Sequence, residues 1–151
     1  KGLHEITQAI ASGMIIPTKV FKDVGLMYED LFLDWVDLEW CWRARAKGYK
    51  IIGNADVVIT HAIGDVGKKI LKKFYTIHSP IRHYYMVRNG IYLGLRSPYL
   101  NFLMRIHLLF RSLKMAFGFP ILATPHFKHF SFCLKGLFHG FIGRLGPLET
   151  K

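Results

Sequence analysis

The spacing of apolar residues changes near residue 67, and the predicted elements change with it. A mainly apolar run over Ile6–Ile16 predicts a strand, with Ser12-Gly13 inside it where something approaches the backbone closely. Pro17-Thr18 starts a short helix, Lys19–Val24, which Gly25 stops. Leu26–Leu33 is a loop that carries Glu29-Asp30 towards a helix-like segment, Leu38–Lys47, closed by Gly48. Tyr49–Ile52 reads as a short strand, Gly53-Asn54 as a turn and Ala55–Thr60 as a second strand. His61 stands at the end of that strand, before a Gly-bearing loop, Ala62–Gly67. To this point the pattern is α/β.

Beyond it the pattern becomes helical. Lys68–Phe74 is a basic linker or short helix, and Ser79-Pro80 opens a helix over Ile81–Arg96. Ser97-Pro98 opens another, in which Tyr99, Phe102, Leu103, Ile106, Phe110, Leu113 and Phe117 recur with a 3.6-residue period. Arg105, Arg111 and Lys114 fall off that stripe, and Phe119-Pro120 ends it. His126–Gly143 is a third helical segment, rich in Phe and interrupted by Gly136 and Gly140. No uninterrupted apolar run of about 18 residues exists, so no membrane-spanning helix is predicted.

Charge sharpens this division. Residues 1–65 carry nine acidic and seven basic side chains, whereas residues 66–148 hold 13 Lys or Arg and no acid. The basic half suits phosphates, on nucleic acid or on an anionic lipid surface. At 151 residues the chain is long enough for a core. Its first residue is Lys, with no signal peptide ahead of the first apolar stretch, which suggests a fragment or processed chain. Cys41 and Cys133 lie far apart and form no CxxC pair, so a reducing compartment is the default expectation.

The candidate chemistry is concentrated in Asp34-Trp35-Val36-Asp37-Leu38-Glu39-Trp40-Cys41-Trp42-Arg43, where three carboxylates interleave with all three tryptophans. A helix N-terminus concentrates free N–H groups and keeps a nearby carboxylate ionised. Tryptophan beside Asp or Glu suits a sugar, because the ring covers an apolar sugar face while the carboxylate binds hydroxyls. The plainer reading is a capped helix: Asp34 as N-cap, Asp37 in the first turn, and Glu39 with Arg43 as an i,i+4 pair. His126-x-x-His129 has a metal-like spacing but no carboxylate nearby, and reads as surface or interface.

Several motifs in order resemble the second half of a family 2 glycosyltransferase, nearest to bacterial rhamnosyltransferases of surface polysaccharide synthesis. They are Ala11-Ser12-Gly13-Met14-Ile15-Ile16-Pro17, Val20-Phe21-Lys22-Asp23-Val24-Gly25, Asp37-Leu38-Glu39-Trp40-Cys41-Trp42-Arg43-Ala44 and Gly48-Tyr49-Lys50. His61 after an apolar strand and Tyr85-Met86-Val87-Arg88-Asn89 continue the likeness, which loosens after about Gly118. The resemblance implies that Asp37 is the general base that takes the acceptor hydroxyl's proton in an inverting transfer. Asp34 and Glu39 are the rival carboxylates, holding the acceptor or the helix start. Trp35 and Trp40 are candidates for sugar stacking, against core packing. Trp42 reads as core. Ser12 and Gly13 would line the acceptor side, or form a strand bulge. Arg88 would contact donor phosphate or brace the site with Asn89. His61 would help hold a divalent metal, Mg or Mn, on the donor diphosphate.

Two departures limit the match. Met27-Tyr28-Glu29-Asp30 stands where relatives have Phe-Asp-Glu, and no Asp-x-Asp metal motif precedes Asp34. The expected fold class is therefore α/β: residues 1–67 as the acceptor-side part of a GT-A (Rossmann-like) domain, with the N-terminal nucleotide-binding half missing. Residues 68–151 would be a basic region of amphipathic helices at the membrane surface. The full enzyme would move a sugar, L-rhamnose from dTDP-rhamnose, from a nucleotide-sugar donor to a lipid-linked saccharide acceptor. It would sit at an anionic membrane surface on the inner face of the bacterial plasma membrane, with most of the metal bound by the missing half. The fragment alone would be inactive. Two rivals are a basic nucleic-acid-binding module, disfavoured because the basic residues alternate with an apolar period, and a non-catalytic membrane-surface segment.

Overall fold

The computed structural model describes residues 1–60, 67–70 and 73–149. Two compact units share the chain: Lys1–Glu29 with Trp35–Ala62, and Asp30–Asp34 with Ile63–Lys151. The described residues are mostly helical, and their strands form two small antiparallel pairs in place of the expected α/β sheet.

In the first unit only the start of the expected N-terminal strand is one. β1 (Leu3–Ile6) ends because the next residues give their backbone groups to helix side chains. α1 (Thr18–Val24) follows Pro17 and stops at Gly25, whose φ of 92° favours glycine. α2 (Val36–Ala46) carries Asp37 and Glu39 in its first turn and Arg43 and Arg45 in its last, both favourable to the helix dipole. β2 (Ile51–Asn54) pairs with β1, Leu3 opposite Asn54 and Ile6 opposite Ile51. The expected Gly53-Asn54 turn and second strand over Ala55–Thr60 are corrected by that register. Gly53 and Asn54 lie in β2, and the Asn54 side chain accepts from Asp56 N–H at 3.0 Å, turning the chain one step later. The core gathers Val20, Val24, Trp40 and Ala44, with Phe21, Met27 and Tyr49 packed around them.

The second unit opens with a hairpin, β3 (Gly67–Ile70) and β4 (Lys73–Thr76), where a linker or short helix was expected. Its Ile, Phe, Tyr and Thr suit a pleated ladder better than a single helical turn. α3 (Pro80–Arg96), α4 (Phe102–Leu122) and α5 (His126–Ile142) pack against one another around Val87, Ile91, Ala116 and Cys133. Pro80 sits at the first helical position of α3, and the Asn101 side chain caps α4 by accepting from Met104 N–H at 2.9 Å. Pro120 lies inside α4, which runs two residues beyond it, so it does not end the helix.

Gly136 and Gly140 do not interrupt α5. A Cβ at Gly136 would stand 2.7 Å from the Tyr84 carbonyl oxygen, and one at Gly140 would stand 2.5 Å from that of Arg88. The two glycines let the backbones of α3 and α5 approach where any side chain would hold them apart.

The apolar stripe of α4 faces outward. Leu108, Ser112, Ala116 and Pro120 are buried, while Phe102, Leu103, Phe110 and Phe117 are 73%, 76%, 69% and 58% exposed. Arg105 is not on a cationic flank: its guanidinium donates to the carbonyls of Leu95, Ser97 and Leu100, closing the C-terminal end of α3. Among the described residues no helix is long and apolar enough to cross a membrane.

Candidate active site

One side of α2 lies along the extended segment Thr7–Ala11. Asp37 Oδ2 accepts from Ala11 N–H at 3.0 Å, the Cys41 thiol reaches the Ala9 carbonyl at 3.8 Å, and Arg45 donates to the Thr7 carbonyl at 3.4 Å. These matches step four residues along the helix for every two along the segment. Four helical residues rise about 6 Å, and two extended residues advance about 6.6 Å, so the register holds over two turns. Trp42 adds a bond from its indole N–H to the Gln8 side chain at 3.2 Å.

Asp37 therefore stands at the end of this seam, half-buried, with its other oxygen accepting from Leu38 N–H at 2.9 Å. Each carboxylate oxygen keeps a lone pair for a further donor, which is the requirement for taking a hydroxyl proton. Immediately beyond Ala11 the chain turns, Met14 N–H bonding the Ala11 carbonyl at 3.0 Å. Ser12 and Gly13 are the exposed middle of this turn, Gly13 with φ 80°, as such turns require of their third residue. Ser12 and Gly13 thus belong to a turn beside Asp37, where a strand was expected.

Burial pushes the Cys41 thiol pKa up; the Ala9 carbonyl bond opposes this, and the Asp37 charge adds to it. Cys41 is a neutral structural thiol. Cys133, buried among apolar neighbours in the second unit, is pushed up to about 12.

The other carboxylate of α2 is committed elsewhere. Glu39 is buried and paired with Arg43 through both oxygens, at 3.1 and 2.9 Å. Arg43 also donates to the carbonyls of Val24 and Leu26, so the pair fastens the end of α1 to α2. Trp40 is buried in the core, its indole N–H bonding the Gly25 carbonyl at 2.8 Å and its ring 5.3 Å from that of Phe21. Trp35 is also buried, 6.4 Å from Trp42. It stands at the N-cap of α2 with φ 68°, and no side chain caps the helix, so Asp34 is not the N-cap.

Asp34 belongs to the second unit, in a segment held entirely from α3 and the C-terminal residues. Arg82 grips the Asp34 carboxylate, and its third nitrogen lies 3.3 Å from His78 Nδ1. The buried Asn89 amide reaches the carbonyls of Leu31, Leu33 and Asp34 at 2.9, 2.7 and 3.0 Å. Arg88 is fully buried, stacked 4.8 Å over the Tyr85 ring. Its donors go to the Asn89 side chain and to the carbonyls of Asp30, Leu31 and Gly146. Phe32 and Asp34 both have left-handed backbones, φ 61° and 60°. For Phe32 this conformation costs about 1 kcal/mol or more, and for Asp34, whose short polar side chain tolerates it, less. The Asn89 and Arg82 bonds offset that cost. The sequence marks Asn89 only beside Arg88 and carries no signal for Arg82, whose partner lies 48 residues away.

The histidines of the second unit are inside it. His78 N–H donates to His83 Nε2 at 3.2 Å, so His83 carries its proton on Nδ1 and donates to His129 Nδ1 at 2.8 Å. The His83 ring stacks 3.7 Å from Phe119. His129, expected at a surface or interface, is buried, because its ring completes this chain of bonds. His61 lies outside the described residues. Among the described residues no group of three or more His, Cys, Asp or Glu could hold a metal ion.

Comparison with known proteins gives two relatives. The chain is 43% identical over 97 residues to dTDP-rhamnosyl transferase RfbF of Shigella flexneri, covering 64% of this chain and 32% of that protein. It is 27% identical over 90 residues to a low-salt glycan biosynthesis hexosyltransferase of Haloferax volcanii, covering 60% of this chain and 29% of that one. The chain thus spans about a third of the length of the relatives it matches. No protein-family model and no solved structure matches it. Both similarities are to sugar transferases, and they support a glycosyltransferase of rhamnosyltransferase-like kind.

Proposed function

We propose that this chain is the acceptor-side part of a GT-A type inverting glycosyltransferase in which Asp37 is the general base. The observation that carries this is the placement of Asp37. Its carboxylate is fixed by one backbone N–H to the Ala11–Met14 turn, half-open, and among the described residues has no cationic side chain as a hydrogen-bond partner. A sugar hydroxyl is a poor nucleophile until such a group takes its proton as the bond to the donor sugar forms. Glu39 and Asp34, each occupied by an arginine, are less free to do so.

The donor is a nucleotide-sugar, L-rhamnose on dTDP by similarity to the Shigella relative. The acceptor is a lipid-linked saccharide of a surface polysaccharide such as O-antigen, at the inner face of the plasma membrane. A divalent cation would offset charge on the departing diphosphate. The described residues offer no complete site for it, so its ligands would come mainly from outside them. In the full-length enzyme, Asp37→Asn should keep donor binding and lower turnover by about 100-fold or more. A near-wild-type rate in that variant, with Glu39→Gln or Asp34→Asn inactive, would overturn the assignment.

A further inference from the structure

We infer that the outer faces of α4 and α5 form a docking surface that inserts phenylalanines into an anionic lipid leaflet. The inference deepens the proposed membrane location and rests on it, but it is independent of sugar transfer.

Exposure of single apolar side chains is ordinary on a protein surface; two whole helix faces are not. On α4 the exposed face runs through Phe102, Ile106, Phe110, Leu113, Phe117 and Ile121, at helical spacing on the side away from Leu108 and Ser112. The same holds on α5, a helix whose outer face the sequence pattern did not separate from its inner one. Phe127, Leu134, Phe138 and Phe141 are 83%, 55%, 61% and 67% exposed, opposite the buried His129, Cys133, Gly136 and Gly140. Exposed Arg111 and Lys114 border the first face, and exposed Lys128 and Lys135 the second.

Charge selects the occupant. Residues 66–148 carry 13 basic side chains and no acidic one, so a second copy would set two cationic surfaces together. An anionic leaflet supplies the countercharge and an acyl layer for the rings. Helices with an apolar outer side and basic margins lie in the plane of the headgroups.

The test is co-sedimentation of the 151-residue chain with vesicles of phosphatidylcholine alone or mixed with phosphatidylglycerol. Binding to the mixed vesicles, weakened by salt, is expected. The pair Phe110→Ser with Phe138→Ser should lower the partition coefficient by about tenfold or more, since two rings no longer leave water. Both sites are exposed, so the variant should unfold at the parent temperature. Reversing Lys114, Lys128 and Lys135 to Glu should remove most of the salt dependence. Equal binding to neutral vesicles, or no effect of the Phe pair, would overturn the inference. So would a lipid-free dimer in sedimentation velocity that the Phe pair dissolves, which would assign the face to a second copy. A full-length protein that docks but transfers no sugar would refute the proposed function and not this surface; a transferase indifferent to vesicles would do the opposite.

Discussion

Arg82 holds the Asp34 carboxylate at 3.1 to 3.3 Å from a position 48 residues further along the chain. The pair fixes a residue whose backbone is left-handed, with φ 60°. Arg82→Met should therefore destabilise the second unit by about 1–2 kcal/mol, at the upper end for a partly exposed ion pair because the fork is bidentate. Urea unfolding of the chain measures this. A change near zero would mean that the loop holds its shape without Arg82.

Asn89 should matter more. Its amide serves three carbonyls, and Asn89→Ala leaves buried acceptors with fewer partners, costing about 1–3 kcal/mol. Asn89→Asp should be worse, since a carboxylate offers those oxygens no donor. Amide exchange at residues 31–34 should quicken in both variants, with α4 and α5 less affected.

Glu39 gives a contrast with Asp37. Because the buried Glu39–Arg43 pair fastens α1 to α2, Glu39→Gln should lower stability by about 2 kcal/mol or more. In the full-length enzyme its turnover should stay within a few-fold of the parent. A folded, inactive Glu39→Gln protein would move the base from Asp37 to Glu39.

Stability should fall on mild acidification. Burial lowers the His129 and His139 pKa values below the ordinary 6.5, with nearby cations adding to the effect. The unfolded chain then binds protons that the folded one refuses, so stability is full above about pH 6.5 and declines below it. Protonated His129 would also turn an N–H against the one that His83 offers it. Unfolding midpoints between pH 8 and 5 should show the decline, and His129→Leu should remove the part due to His129 while leaving that due to His139. A midpoint that rises on acidification would contradict this sign.

Gly140→Ala tests the close approach of α3 and α5. The added carbon would meet the Arg88 carbonyl at 2.5 Å, so the backbones must part, at a cost of about 1–3 kcal/mol. Gly118→Ala, with open space at its Cβ, should cost nothing comparable.

Glycine and proline made four of the helices legible: Gly25, Gly48 and Gly143 follow their ends, and Pro80 opens one. Period could not say which side of α4 was inward, because the bundle buries the small residues Ser112 and Ala116 and leaves the large ones out. Nor could it separate a strand from Thr7–Ala11, which is extended but bonded to α2 instead of to a sheet. Asp37 is singled out as a base only by its match to the family's acidic motif, since spacing alone reads equally as the first turn of a capped helix. The Glu39–Arg43 pair was legible as an i,i+4 spacing; the engagement of Asp34 was not, since its arginine stands on a distant helix.

The division of the chain into units has a consequence for anyone who would take it apart. Residues 30–34 leave the first unit for the second, and the chain then returns to the first at Trp35. No single cut separates the two. A fragment beginning after residue 62 would retain Asn89 and Arg88 but lose the carbonyls of Asp30, Leu31, Leu33 and Asp34 that they bind. The same arrangement sets an order during synthesis. The turn around Leu31 is made well before Gly146, whose N–H bonds the Asp30 carbonyl at 2.7 Å, so the segment next to the acidic stretch takes its final form only after Gly146 has been made.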